Sequence, residues 1–325
     1  MPLAIIQLIA GIAALGIGGH YLVQGATRIA LFARISAAVV GLTVVAMGTS
    51  LPEMAVSVNA AAGGSTDMAM GNIIGSTIFN IGAILGITAI VIPISVRIQT
   101  LRIEYPVMLL VAAAVVVLCQ DSSVDRLEGG FLFFSLILFT IFVVYLSRRE
   151  VADEDAVTLE REVQRTARLE GGTGLAWSVS IFLVIIGIVA LVGGAKLVVW
   201  GAETIAIAIG VDGRIIGLTV LAMGTSLPEL ATSAVAAWQG ERDLALANVI
   251  GSNIFNLLGV LGATALAFPV PLDQAAKMDN WVMLGFCAVL LPLMYFKRKV
   301  SRFDGVLLVV GLCAYVTYLV LTRGV

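Results

Sequence analysis

The sequence contains little charge for its length. Asp, Glu, Lys and Arg make up 12% of its 325 residues and leave a net charge of -2, whereas an ordinary soluble domain has about 25% charged residues. The mean hydropathy is +1.06. This composition excludes a soluble globular domain, and the lack of a basic excess speaks against a nucleic-acid partner. We therefore expect most of the chain to lie in a lipid bilayer.

Residues that usually carry catalysis are also scarce. His20 is the single histidine, and the cysteines, Cys119, Cys287 and Cys313, show no spacing typical of a metal site. The metalloprotease motif HExxH and the hydrolase motif GxSxG are absent. We expect neither enzyme activity nor a prosthetic group. The N-terminal segment has no basic stretch and no cleavage site, so we predict that it is retained as a first span.

The most informative feature that is present is an internal repeat. Residues 41–86 align without a gap with residues 217–262, at an offset of 176, and 28 of the 46 positions are identical. Both copies contain Gly-Thr-Ser-Leu-Pro-Glu, which places Glu53 and Glu229 inside apolar runs. An ionisable residue in a membrane span is costly and typically functional. These two glutamates are therefore the centre of the candidate site.

Apolar runs separated by polar stretches predict ten transmembrane helices. Their approximate ranges are 3–23, 37–61, 68–93, 103–120, 129–147, 175–199, 214–238, 243–268, 279–296 and 304–322. The hydrophilic segment 148–174 divides the chain into two sets of five spans, 1–147 and 175–325. We predict an all-α polytopic membrane protein with two five-helix repeats joined by a linker loop.

Lysine and arginine are unevenly distributed between the two predicted sides. The loops after odd-numbered spans hold 14 of the 19 basic residues, and the positive-inside rule puts these loops in the cytoplasm. Both termini then lie outside, and the 148–174 loop is cytoplasmic. Because five spans separate the two copies, they cross the membrane in opposite directions. Such an inverted-topology repeat is typical of secondary transporters.

Each copy has a proline near the middle of a span. Pro52 and Pro228 each remove one helix hydrogen bond, and the residue four positions earlier is a weak helix former, Gly48 or Gly224. We predict a kink or an unwound turn at Gly-Thr-Ser, with freed carbonyls beside the hydroxyls and the glutamate. Carbonyl, hydroxyl and carboxylate oxygens are the ligands that hard cations prefer.

The span after each glutamate carries polar residues four positions apart. They are Asn72, Ser76 and Asn80 in the first copy and Asn248, Ser252 and Asn256 in the second. This spacing stacks them on one helix face, so we expect four spans to enclose an oxygen-rich pocket. One divalent or two monovalent cations would neutralise its two carboxylates. An empty, doubly charged pocket is unfavourable at low dielectric constant, which favours exchange over leak.

Paired GTSLPE motifs, each followed by a helix of the pattern (G/A)NxIGSxIFN, resemble the two α-repeats of the cation/calcium antiporter superfamily, the sodium/calcium exchangers. The ten-span layout fits a prokaryotic member in the inner (cytoplasmic) membrane. The resemblance implies exchange of Ca²⁺ for Na⁺ by alternating access, with the first and sixth spans sliding as a gate. The chain could work as a monomer, and exchange of three monovalent ions for one divalent ion would be electrogenic.

The same resemblance implies a set of ion ligands. In the first half they are Ala46 (by its carbonyl), Thr49, Ser50, Glu53, Ser76 and Asn80, and in the second half Ala222 (by its carbonyl), Thr225, Ser226, Glu229, Ser252 and Asn256. Several relatives, notably potassium-dependent ones, carry Asp at the position of Asn256, so asparagine there argues against potassium coupling.

Other interpretations stay open at this point. Antiport of protons for calcium, or for another divalent cation, is the alternative within transporters, although GTSLPE favours sodium. A channel is disfavoured by the inverted repeat, and an intramembrane enzyme is disfavoured by the lack of a nucleophile and base pair. The two glutamates could instead be structural. Asn72 and Asn248 could be helix-to-helix contacts rather than part of the site.

Overall fold

The computed structural model describes residues 2–121, 123–154, 163–166, 168, 172–209, 222–272 and 274–323. The described part of the chain is almost entirely helical, as predicted. Its helices are α1 (Pro2–Ala33), α2 (Ala37–Thr49), α3 (Leu51–Ala62), α4 (Thr66–Val91), α5 (Thr100–Leu118), α6 (Arg126–Glu154), α7 (Thr173–Ala208), α8 (Ala222–Thr225), α9 (Leu227–Trp238), α10 (Arg242–Ala267), α11 (Gln274–Lys297) and α12 (Arg302–Arg323).

The membrane-spanning character of these helices agrees with the prediction. Among the described residues, eight helices are long and apolar enough to cross a membrane, and the bent pair α2–α3 makes a ninth. The predicted span 214–238 corresponds to α8 and α9, but residues 214–221 lie outside the described part. The count of ten therefore stays a prediction.

Several helices are longer than the apolar runs that predicted them. α1 continues to Ala33 rather than ending near residue 23, and α7 continues to Ala208 rather than to residue 199. α6 extends to Glu154, into the segment 148–174 that we predicted as a linker loop. Hydropathy marks only where the apolar run ends. Beyond it, Ala26 and Ala30 of α1 are still buried in the bundle, and Arg and Glu in the extension of α6 are good helix formers.

Local sequence explains where other helices begin and end. The Ser36 hydroxyl caps α2 by accepting the Val39 N–H at 3.3 Å. Gly64 and Gly240, with φ of 81° and 91°, form the turns after α3 and α9, a conformation that glycine adopts without strain. Both glycines lie between predicted spans, at 62–67 and 239–242.

Burial places α4 and α10 at the centre of the bundle. In the most apolar 18-residue stretch of each helix, all residues are buried in α10 and 78% are buried in α4, but only 11% are buried in α12. The two repeat-containing helices thus form the core, and α12 lies at the periphery.

α1 and α7 pack against each other along backbone surfaces. A Cβ atom added at Gly194 would lie 2.9 Å from the Gly11 carbonyl oxygen, and one added at Gly11 would lie 2.7 Å from the Gly194 carbonyl oxygen. Small residues allow this close approach in membrane helices. Neither helix carries a predicted ion ligand.

Two short antiparallel sheets link the first half of the chain to the second. β1 (Ile94–Ser95) pairs with β4 (Lys299–Val300), and β2 (Ser123–Val124) pairs with β3 (Val270–Pro271). β1 and β3 are 176 residues apart, as are β2 and β4, which is the offset of the sequence repeat. Each sheet therefore connects helix ends from opposite halves.

Candidate cation site

The predicted kink is present at the first GTS motif. α2 and α3 meet at an angle of 44°, and the break falls at Ser50, whose φ and ψ are -87° and 6°. Ser226, between α8 and α9, has nearly the same conformation, with φ and ψ of -93° and 5°. In both copies a proline without an N–H follows two residues later, so the helix above the break cannot continue into the helix below it.

The break does not free the Ala46 carbonyl from helix hydrogen bonding, contrary to the predicted unwound turn, and its role as an ion ligand stays a prediction. This carbonyl accepts the Ser50 N–H at 3.0 Å and the Thr49 hydroxyl at 3.3 Å. The helix closes one last ordinary turn before it breaks. Ala222 begins the described part of α8, four residues before Ser226, and the residues just before it are outside the described part.

The two glutamates are each held by a serine of the other half. The Ser50 hydroxyl donates to Glu229 Oε1 at 3.0 Å, and the Ser226 hydroxyl donates to Glu53 Oε1 at 3.1 Å. Both glutamates are only 1% exposed. These cross-half bonds bring the two GTSLPE motifs into one site.

Two further predicted ligands lie beside the carboxylates. Thr49 is next to Glu229, and Thr225 is next to Glu53. The two carboxylates are also close enough to interact electrostatically. The site therefore brings two carboxylates together in the buried interior of the helix bundle.

Several oxygen atoms of the predicted ligands are buried without a hydrogen-bond partner. Among the described residues these are Glu53 Oε2, Ser76 Oγ, Asn80 Oδ1, Glu229 Oε2, Ser252 Oγ and Asn256 Oδ1. An unsatisfied buried polar group costs about 1–3 kcal/mol, and native proteins contain few of them. Six such oxygen atoms in one predicted ligand set indicate a binding place for a ligand that oxygen atoms coordinate.

The local backbone of α4 and α10 changes at the two asparagines. A π-helical turn covers Asn80–Leu85 in α4, and another covers Phe255–Val260, including Asn256, in α10. Single π turns within α-helices are frequent at functional sites because they change the direction of neighbouring side chains. The sequence pattern gave no indication of these turns.

Asn72 and Asn248 form structural contacts instead of facing the ligands. The Asn72 amide donates to Ser57 Oγ at 2.9 Å and to the Glu53 carbonyl at 3.2 Å. The Asn248 amide donates to Ser233 Oγ at 3.0 Å. They join α4 to α3 and α10 to α9, which supports the helix-contact interpretation.

Asn253 is the polar residue near the site that we did not predict. It is fully buried and accepts a hydrogen bond from the Asn80 amide at 3.0 Å. It occupies the variable position of the IGSxIFN pattern, where the first copy has Thr77. A polar side chain that differs between two otherwise similar copies is the signal that could have identified it.

The ligand chemistry favours hard cations. No group of three or more His, Cys, Asp or Glu side chains lies together in the part of the chain that the structure describes. Two carboxylates with neutral hydroxyl and amide oxygens suit Ca²⁺ or Na⁺ rather than a transition metal.

A separate cavity of about 300 Å³ opens near the ends of α9 and β1. It is lined by Ser95, Gly240, Glu241, Arg242 and Asp243. Arg97 Nε lies 3.7 Å from Asp243 Oδ2, and burial together with the charge of Asp243 raises the pKa of Glu241. None of the predicted ligands lines this cavity, so the buried oxygen cluster is the candidate site.

Comparison with known proteins identifies the family of the chain. The profile of the family described as sodium/calcium exchanger protein matches residues 3–146 and 179–321. The chain belongs to this family. It is therefore an integral membrane protein of a transporter family, a cation/calcium antiporter rather than a member of an enzyme family.

Individual members of the family resemble the chain over most of its length. The sodium/calcium exchanger MaX1 of Methanosarcina acetivorans is 31% identical over 76% of this chain and 79% of its own length. The inner membrane protein YrbG of Escherichia coli is 35% identical over 76% of this chain and 75% of its own. A solved structure of the sodium-calcium exchanger NCX_Mj superposes with a TM-score of 0.83 at 30% identity and covers 97% of this chain and 98% of that one.

Proposed function

We propose that the chain exchanges Ca²⁺ for Na⁺ by alternating access, and that the cations bind at the twelve predicted ligands. The observation that carries this proposal is the set of six unpartnered, buried oxygen atoms around two carboxylates. A bound cation would be coordinated by these oxygen atoms, whereas apolar side chains could not give them a partner. One Ca²⁺ would balance both carboxylates, and two Na⁺ ions would do so equally.

Hydrogen bonding within the site supports its use for cations. Ser50 and Ser226 donate their protons to the glutamates, and Thr49 donates its proton to backbone carbonyls, with Val45 O at 3.1 Å. Each hydroxyl oxygen therefore keeps lone pairs that can point to a cation. The Ala46 carbonyl, already engaged twice, is the weakest member of the proposed set.

We propose that the two halves form an inverted repeat whose boundaries are 1–147 and 175–325. The 176-residue offset of the short strands and the reciprocal serine–glutamate bonds support this arrangement. With the positive-inside rule it puts both termini outside and the segment 148–174 in the cytoplasm. The relative YrbG is named an inner membrane protein, which supports the inner membrane as the location of this chain.

Sodium is the coupling ion that the relatives favour. MaX1 is named a sodium/calcium exchanger, and the NCX_Mj structures were obtained with Na⁺ and with Sr²⁺, a divalent cation. Exchange of three Na⁺ for one Ca²⁺ would move one net charge per cycle. Its rate would then depend on membrane potential, with about 2.3 kcal/mol per charge for each 100 mV.

Transport into sealed vesicles tests the proposal. Purified protein is reconstituted in vesicles loaded with Na⁺, and uptake of labelled Ca²⁺ is followed after dilution into sodium-free buffer. We expect uptake that requires the outward sodium gradient. If three Na⁺ leave for each Ca²⁺ that enters, one positive charge leaves per cycle, so uptake should accelerate when a potassium diffusion potential makes the interior positive. Protein-free vesicles and vesicles with equal Na⁺ on both sides are the controls.

The same assay separates the alternatives. Uptake driven by a pH gradient without Na⁺ would identify a proton/calcium antiporter and refute sodium coupling. Ca²⁺ flux with no counter-ion requirement would identify a channel. The absence of Ca²⁺ movement under all gradients would refute the proposed cargo.

A further inference from the structure

The amide of Asn80 is bonded on one side only. Its nitrogen donates to Asn253 Oδ1 at 3.0 Å, while its oxygen has no partner among the described residues. Asn80 and Asn253 are 1% and 0% exposed, so water does not compete for this bond. The side-chain oxygen of Asn80 is therefore available to a ligand that binds in the site.

A methionine fixes the direction of the contact. The Asn253 amide nitrogen faces Met108 Sδ at 3.7 Å. A thioether sulfur can accept a hydrogen bond but cannot donate one, so the nitrogen of Asn253 turns to the sulfur and its oxygen turns to Asn80. Asn80 must then offer its nitrogen to Asn253 and its oxygen to the site.

The second half of the chain lacks this arrangement. At the repeat offset of 176, Thr77 corresponds to Asn253. The Thr77 hydroxyl donates to the Ile73 carbonyl of its own helix at 2.9 Å. Asn256, the counterpart of Asn80, has neither amide atom bonded within the described part of the chain.

We propose that Asn253 is a positioning residue that orients the Asn80 amide so that its oxygen faces the transported cation. This inference rests on the proposed function. Asn256, without such a partner, is the amide that can turn within the site. The two asparagine ligands, identical in sequence context, are thus unequal: one is fixed, and the other adapts to the ion that is bound.

Calcium titration of purified variants by calorimetry tests this role. Asn253→Thr removes the acceptor, because threonine at the equivalent position bonds to its own helix. The Asn80 amide then has no fixed direction, and we expect Ca²⁺ affinity to fall about tenfold. Thr77→Val is the matched control at the equivalent position of the other copy, and we expect its affinity to be unchanged.

A double-mutant cycle separates positioning from a general structural effect. In an Asn80→Ala background there is no amide to orient, so adding Asn253→Thr should weaken binding no further. Additive losses would overturn the proposal, as would unchanged affinity in Asn253→Thr alone. If Asn253→Thr does not give folded protein by size-exclusion chromatography, Asn253→Ser replaces it with the same expectations. Failure of the parent protein to bind Ca²⁺ would refute the proposed function, whereas normal parent binding with an unaffected variant refutes only the role of Asn253.

Discussion

Replacing Glu53 by glutamine removes one charge of the site and leaves its shape nearly intact. The Ser226 hydroxyl lies 3.1 Å from Glu53 Oε1, and a glutamine oxygen at the same place still accepts this bond. The variant should therefore fold like the parent protein. The substitution should instead change the affinity for ions, and the size of this change should depend on the charge of the ion.

The expected magnitude follows from Coulomb's law. Two unit charges about 4 Å apart interact by about 4 kcal/mol at an effective dielectric constant of about 20, so a divalent ion loses about 8 kcal/mol and a monovalent ion about 4. The repulsion between Glu53 and Glu229 is present with and without a bound ion, so its removal does not alter the difference between the two ions. The difference between the two ions is therefore about 4 kcal/mol, or roughly a thousandfold in dissociation constant.

Thermal stabilisation measures both ions separately on the same protein. A ligand that binds the folded state raises the melting temperature according to its concentration and dissociation constant, so Ca²⁺ and Na⁺ are titrated independently. We expect Glu53→Gln to raise the midpoint concentration of the Ca²⁺ titration by a factor roughly a thousandfold larger than that for the Na⁺ titration.

The matched control is a buried glutamate elsewhere in a span. Glu104 is 1% exposed and accepts the Thr100 hydroxyl at 2.9 Å, and it is not among the predicted ligands. Glu104→Gln should leave both midpoints near those of the parent. Equal shifts for Ca²⁺ and Na⁺ in Glu53→Gln, or a calcium shift as large in Glu104→Gln, would refute the electrostatic argument.

Two further predictions concern the adaptable amide and the outer helices. Asn256→Asp adds a third carboxylate to the site. We therefore expect the loss of Ca²⁺ affinity between alkaline and mildly acid buffer to be larger in the variant than in the parent. If calcium titrations of the two proteins show the same pH profile, Asn256 is not near the ions. Gly194→Val pushes a side chain against the Gly11 carbonyl oxygen, which a Cβ atom would already approach to 2.9 Å, and we expect vesicle exchange to slow at least tenfold with Ca²⁺ binding unchanged. Parent-like exchange would contradict a need for close α1–α7 packing, and a matching loss of binding would indicate damage to the site itself.

The sequence was sufficient for the parts of the site that depend on local chemistry. Pro52 four residues after Gly48 predicted the break at Ser50, and the spacing of Ser76 and Asn80 predicted a shared helix face. It could not predict that Ser50 bonds to Glu229, because an alignment of two copies does not say how they meet in space. The π turns and the Asn253 contact depend on tertiary packing, and helix ends such as Ala33 depend on helix propensity rather than hydropathy.

Reciprocal bonding has a consequence for how binding and movement are coupled. Each glutamate uses one oxygen for the serine at the helix break of the opposite half, and its other oxygen has no hydrogen-bond partner among the described residues. A cation that bridges the two free oxygens therefore joins both breaks through both carboxylates. Without it, two negative charges repel across a buried site, and desolvation makes that state costly by several kcal/mol. In the proposed exchanger a bound ion would complete the contact between the halves, and the same charges that select the cation would also make the loaded protein the form that crosses between its two open states.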